Sequence, residues 1–189
     1  MIRLVPIVAA VAALALPAAA QDFSEGSEAR EWGLFGERKA TFAARVADPL
    51  CEFTGECAAD CGGGDRQVVL IRQADDAMVF PLKNAQTAFN GAVADLAPYC
   101  GQTVDVDGLL IEDDFVGATN VYLVQRIRPE GGEWIRANRW TDDWAERHPD
   151  AAGPGPWFRR DPRILSEIED EGYLGLGPEV DEAFIADWF

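Results

Sequence analysis

The side chains best suited to chemistry in this chain are sulfurs. Three of the four cysteines fall in the stretch CEFTGECAADCGGG, Cys51 to Gly64, and the fourth, Cys100, stands alone further along. Three chemistries compete for such a set. A redox pair needs close spacing and a neighbouring positive charge that lowers a thiol pKa. Cys57 and Cys61 are instead C-x3-C beside Glu56 and Asp60, which raise it. A four-thiolate site would suit zinc, copper(I) or an iron-sulfur cluster. The spacing, five residues, then three, then a distant fourth cysteine, matches no common structural zinc pattern. The third chemistry, two disulfides, is what an even cysteine count implies in an oxidising compartment.

Other reactive groups form no catalytic set. His148 is the only histidine and precedes Pro149. That context reads as a helix end, where a protonated ring interacts favourably with the dipole. Ser24 and Ser27 lie in a polar arm and Ser166 within a helical pattern, none in a nucleophile context. Carboxylates such as Glu112, Asp113, Asp114 and the run Glu167 to Glu171 lack the alternating oxygen spacing of a calcium loop and read as solvated faces. Gly62 to Gly64 sit among acidic residues without the lysine of a phosphate loop, so they read as a flexible exit into the next strand. No metal and no cofactor are expected.

Residues 1–20 carry one positive charge at Arg3, an apolar run from Leu4 to Leu16, and Pro17 followed by three alanines. This is the pattern of a cleaved secretory signal, so the expectation is an exported protein, periplasmic or secreted. The whole chain has a formal charge of −17, one unit more negative without Arg3. Such a field repels phosphate backbones and disfavours nucleic acid, and it leaves a basic protein partner as the minority reading beside simple solubility.

The elements that must position the cysteines follow in order. Residues 21–38 form a polar arm, with a short helical turn expected at Ser27 to Trp32. Residues 39–129 then alternate as strands: Ala40 to Val46, Gln67 to Arg72, Ala77 to Leu82, Thr103 to Ile111 and Asn120 to Arg128. A short helix over Asn90 to Tyr99, stopped at Pro98, interrupts them before the fourth strand. Gly108 predicts a bend or bulge, and Pro81 an edge or bulge. The order β-β-β-α-β-β is that of the five-stranded OB barrel, so the expected class is mainly β with a helical extension. An SH3-like barrel or a small open α+β sheet is the alternative.

In an OB barrel the first strand pairs with the fourth, which brings the end of one beside the start of the other. That proximity predicts a Cys51 to Cys100 bridge across the seam, stabilising by roughly 4 kcal/mol in the chain-entropy model, with Cys57 and Cys61 closing a local ring.

Residues 130–189 form the extension, rich in tryptophan. Amphipathic helices are expected over Trp134 to His148, after Pro162 with Ile164, Leu165 and Ile168 as the buried face, and over Glu179 to Phe189. Trp140, Trp144, Trp157, Phe184, Trp188 and Phe189 are candidate partner-binding residues, with Tyr122 and Arg126 on the fifth strand of the barrel. The function expected is a disulfide-stabilised binding or accessory module without its own catalytic centre, engaging a protein partner or small ligand. The alternative is a thiol-redox or metal-handling accessory protein using Cys51, Cys57, Cys61 and Cys100. An enzyme in the usual sense comes third.

Overall fold

The computed structural model describes residues 22–83, 91–115, 117–154, 156–172 and 178–188. The first strand, β1 (Glu37–Ala47), is long enough to serve two neighbours. Its first nine residues pair antiparallel with β4 (Thr103–Asp113), from Glu37 opposite Ile111 to Arg45 opposite Thr103. Its last four pair with β2 (Val69–Arg72). Period-two alternation drives Ala40, Phe42, Ala44 and Val46 inward, all buried.

A tight turn at Asp75 and Asp76 leads from β2 into β3 (Met78–Leu82). There Asp75 takes both a bidentate ion pair from Arg72 and the N–H of Ala77. The β2 ladder ends at Val79, and β3 continues in parallel beside β5 (Ala118–Pro129), with Pro81 opposite Tyr122. Proline lacks the N–H a second neighbour would need, which suits a residue beyond the end of β2. The β3–β5 contact closes the order β3-β2-β1-β4-β5 into a five-stranded mixed barrel, and β6 (Ile135–Arg136) adds to β5 from outside. Helix α2 (Ala92–Leu96) sits between β3 and β4 in sequence and sends Ala92, Val93 and Leu96 into the barrel core. This is the OB arrangement expected from the sequence.

Gly108 marks a bulge as expected, and its neighbour strand shows why. Asp107 faces Arg126 but Gly108 faces Val124, so Gln125 is an extra residue on β5. A Cβ on Gly108 would lie 2.2 Å from the Leu123 carbonyl oxygen. Only glycine admits that approach.

Four expectations are corrected. The disulfides are Cys51 to Cys57 and Cys61 to Cys100. The seam itself lies where strand pairing places it, with the Gly101 N–H on the Val46 carbonyl at 2.8 Å. However, a helix intervenes: Asp48 caps α1 (Pro49–Thr54), whose left-handed Gly55 stop turns the chain back so that Cys57 meets Cys51. Left-handed backbone at Asp60 and Cys61 then carries Cys61 inward to Cys100.

Second, Trp134 to His148 is not one helix. Gly131 and Gly132 form a hairpin turn that returns residues 135–136 to the sheet, and α3 begins only at Arg139 (Arg139–Arg147). Buried Ala137, whose N–H meets the Gln125 carbonyl, fixes the switch. Third, α4 (Pro162–Glu171) has the predicted Asp161 cap and Gly172 stop, but Leu165 and Ile168 on its expected buried face are both 40% exposed or more. Residues 27–34 of the arm are not helical either. The signal-like segment at residues 1–20 lies outside the described residues.

Candidate functional site

Arg126, predicted to share a binding face with Tyr122, does not. Positions 122 and 126 of a regular strand point the same way, but the extra residue Gln125 reverses the phase. Tyr122 is buried in the barrel, tilted against Phe42, and its hydroxyl donates to the Ala40 carbonyl at 2.8 Å. Arg126 emerges on the outside and binds the fully buried Asp107, with Nε at 3.0 Å and Nη2 at 2.5 Å. The arm completes this pair: Ser27 Oγ donates to Asp107, the Glu28 N–H does likewise, and the Glu28 carboxylate takes Arg126 Nη1. Gln125 exchanges two hydrogen bonds with the Arg30 backbone, while Ala29 packs on Leu109 and Leu123. The arm is thereby strapped to the barrel, and Arg126 and Asp107 are the buckle.

Three of the predicted tryptophans of the extension, Trp140, Trp144 and Trp157, gather into a second core. Trp144 is fully buried and donates its indole N–H to buried Asp161 at 2.8 Å. His148, at the end of α3 as expected, stacks on it at 4.8 Å with the rings 16° apart. Trp157 contacts both Trp140 and Trp144. Arg163 and the Trp144 indole together hold the Asp161 carboxyl far below the ordinary carboxylate range. Trp144 is therefore packing rather than surface, while Trp140 and Trp157 are part-buried against it. Helix α5 (Pro178–Trp188) carries Val180 and Ile185 half exposed. The side chains of Phe184 and Trp188, and all of Phe189, lie outside the described residues.

The cysteines have no free thiol, so none is a thiolate available to a metal or a redox partner without prior reduction. Among the described residues no group of three or more histidine, cysteine or carboxylate side chains is placed to hold a metal ion.

What sequence reading missed is a set of exposed apolar side chains on the barrel. OB barrels take ligands on the β2–β3 face and on the loops joining β1 to β2 and β4 to β5. Each of these three parts carries a large apolar residue facing water. Phe80 on β3 is 45% exposed, Phe115 in the β4–β5 loop 94%, and Phe53 on α1 in the β1–β2 loop 73%. Trp32 and Phe35 are also exposed, immediately before β1, where Glu37 lies across from Ile111 and Ile111 across from Val121, the partner of Phe80. The alternation around Phe80 in MVFPL was the available signal, since Val79 and Pro81 claim the inward face.

No protein-family model, curated protein or solved structure matches the chain. The site must be interpreted from its own chemistry.

Proposed function

We propose that the protein is an exported binding module, in which a disulfide-stabilised OB barrel takes an apolar, basic segment of a partner protein on its ligand face. The observation that carries this reading is the exposure of Phe80, Phe115 and Phe53 on the three parts of the barrel that such folds use for ligands. Scattered exposed apolar residues are ordinary, but a large exposed aromatic on each part of the barrel that such folds use for ligands favours association. The surroundings set the sign of the partner. Phe115 follows Asp113 and Asp114, and the β1–β2 loop holds Glu56, Asp60 and Asp65, within a chain of net charge −17. Basic groups are attracted to such a surface and nucleic acid is repelled. Export is supported by the signal-like residues 1–20 together with two disulfides, which persist in oxidising compartments.

Selection of a displayed random peptide library against the intact oxidised protein tests the reading. Peptides joining Lys or Arg to aromatic or aliphatic residues are expected to be enriched. The double variant Phe80→Ser, Phe115→Ser is expected to lose them by tenfold or more, about 1.4 kcal/mol, with only a small fall in melting temperature because Phe115 is almost wholly exposed and Phe80 nearly half exposed. Failure to enrich any such peptide, or equal binding by the variant, would sink the proposal.

A further inference from the structure

In this acidic chain, positive charge collects in one place that the barrel's ligand face does not include. An open cleft of about 480 Å³ lies between the end of α3 and the start of α4, lined by Arg147, His148, Arg159 and Arg160 with a single carboxylate, Asp150. Seven other arginines each hold a carboxylate at hydrogen-bonding distance. Among the described residues, Arg147, Arg159 and Arg160 have no such partner; Arg30, Arg136 and Arg139 also have none but do not line the cleft. The nearest buried carboxylate, Asp161, is already committed to Trp144 and Arg163.

Arg160 is held ready rather than free. Its guanidinium lies over the Trp144 ring at 5.3 Å, and Nη1 donates to the Ala151 carbonyl at 2.8 Å. Its Nε is buried with no hydrogen-bond acceptor. A buried guanidinium N–H without a partner is costly, and an acceptor oxygen arriving through the cleft would remove that cost. His148 is oriented by the same ring: it stacks on Trp144, and its Nδ1 is 2.9 Å from the Trp144 carbonyl oxygen. A carbonyl only accepts, so Nδ1 carries the hydrogen and Nε2 is left as the acceptor nitrogen of the neutral ring. The rest of the lining is apolar, including Pro149, Pro162 and Leu165.

We infer that this cleft binds the oxyanion group of a small organic molecule, a carboxylate or a phosphate, with the arginines as its donors and the proline and leucine surface against its carbon skeleton. Guanidinium forks match both oxyanions, and the cleft volume is that of a small-molecule site. The inference concerns a different surface from the protein partner's and stands or falls separately.

Isothermal titration of the full oxidised protein with citrate, and separately with glycerol phosphate, distinguishes the two ligand sources. One of them is expected to bind saturably at 1:1, weakening as salt is raised. The double variant Arg147→Gln, Arg159→Gln removes two exposed side chains that support no packing, and is expected to weaken binding by at least about tenfold. A control pair elsewhere on the surface, Arg30→Gln with Lys39→Gln, is expected to leave it within about twofold. No saturable binding of either ligand to the wild-type protein, an unaffected cleft variant, or equal weakening by the control pair would each overturn the inference.

Discussion

Asp95 is a carboxylate placed where water scarcely reaches it. One oxygen accepts the Arg139 N–H at the start of α3, tying the extension to α2, while the other is buried without a partner. Burial raises its pKa above the ordinary value, against the opposing pull of that hydrogen bond and of Lys83 and Arg139. Lys83 is depressed by the same burial, and its ammonium donates to the Val124 carbonyl. The sign of the linkage follows. A carboxyl that keeps its proton to higher pH when folded favours the folded state most below about pH 3.8 and withdraws that support as pH rises through the raised value. Asn keeps the oxygen that Arg139 needs and removes the charge. Asp95→Asn should therefore gain stability relative to wild type between pH 4 and pH 7, read from urea unfolding at both. A difference between the two proteins that does not change with pH would rule out the raised pKa.

At the scale of elements, the two disulfides divide their work by the length of chain they close. Cys61 to Cys100 spans 39 residues and ties the β1–β2 loop to the turn before β4, whereas Cys51 to Cys57 spans 6 and only secures the return of α1. The chain-entropy model gives about 4 kcal/mol for the first and about 2 for the second. Replacing Cys61 and Cys100 by Ala should accordingly lower unfolding free energy about twice as much as replacing Cys51 and Cys57. Non-reducing peptide maps of wild type should yield the two linked pairs directly. The reverse order of losses would mean that the loop, not the barrel, depends most on cross-linking. The sequence exposed that the end of β1 lies beside the start of β4, but neither expected sulfur pair forms and Cys100 takes Cys61 instead of Cys51. That choice depends on a six-residue helix with Asp48 and Gly55 at its ends, and on left-handed backbone at Asp60 and Cys61, where glycine would be the expected residue.

Across the whole molecule, two cores meet through few contacts. The barrel core is aliphatic with Phe42 and Tyr122, and Ala137 of the extension reaches into it. The second core is a stack of Trp140, Trp144, His148 and Trp157 closed by Asp161. Large aromatic surfaces let a segment poor in aliphatics bury itself without wrapping fully around its neighbour. Asp161 joins Trp144 of α3 to the start of α4, and its depressed pKa places its contribution above the usual carboxylate range, to be lost as pH falls below about 4. Asp161→Ala should lower the midpoint of the tryptophan fluorescence transition while the far-ultraviolet transition of the barrel stays where it was. Coincident shifts of both would show one cooperative unit instead.

Alternation, prolines and glycines determined the barrel: five strands, the helix before β4 and the bulge at Gly108 were legible because each is a local pattern, and the pairing of β1 with β4 followed from the order of those elements. The phase of β5 beyond Gln125 was not, since a bulge residue looks like any other until its partner strand is known. That single insertion separated Tyr122 from Arg126 and hid the strap around Asp107. The pairing of the sulfurs, the burial of Trp144 and the gathering of unpaired arginines were likewise decided only in three dimensions. Each depends on which distant residues come within a few ångströms, and sequence spacing carries no such distance.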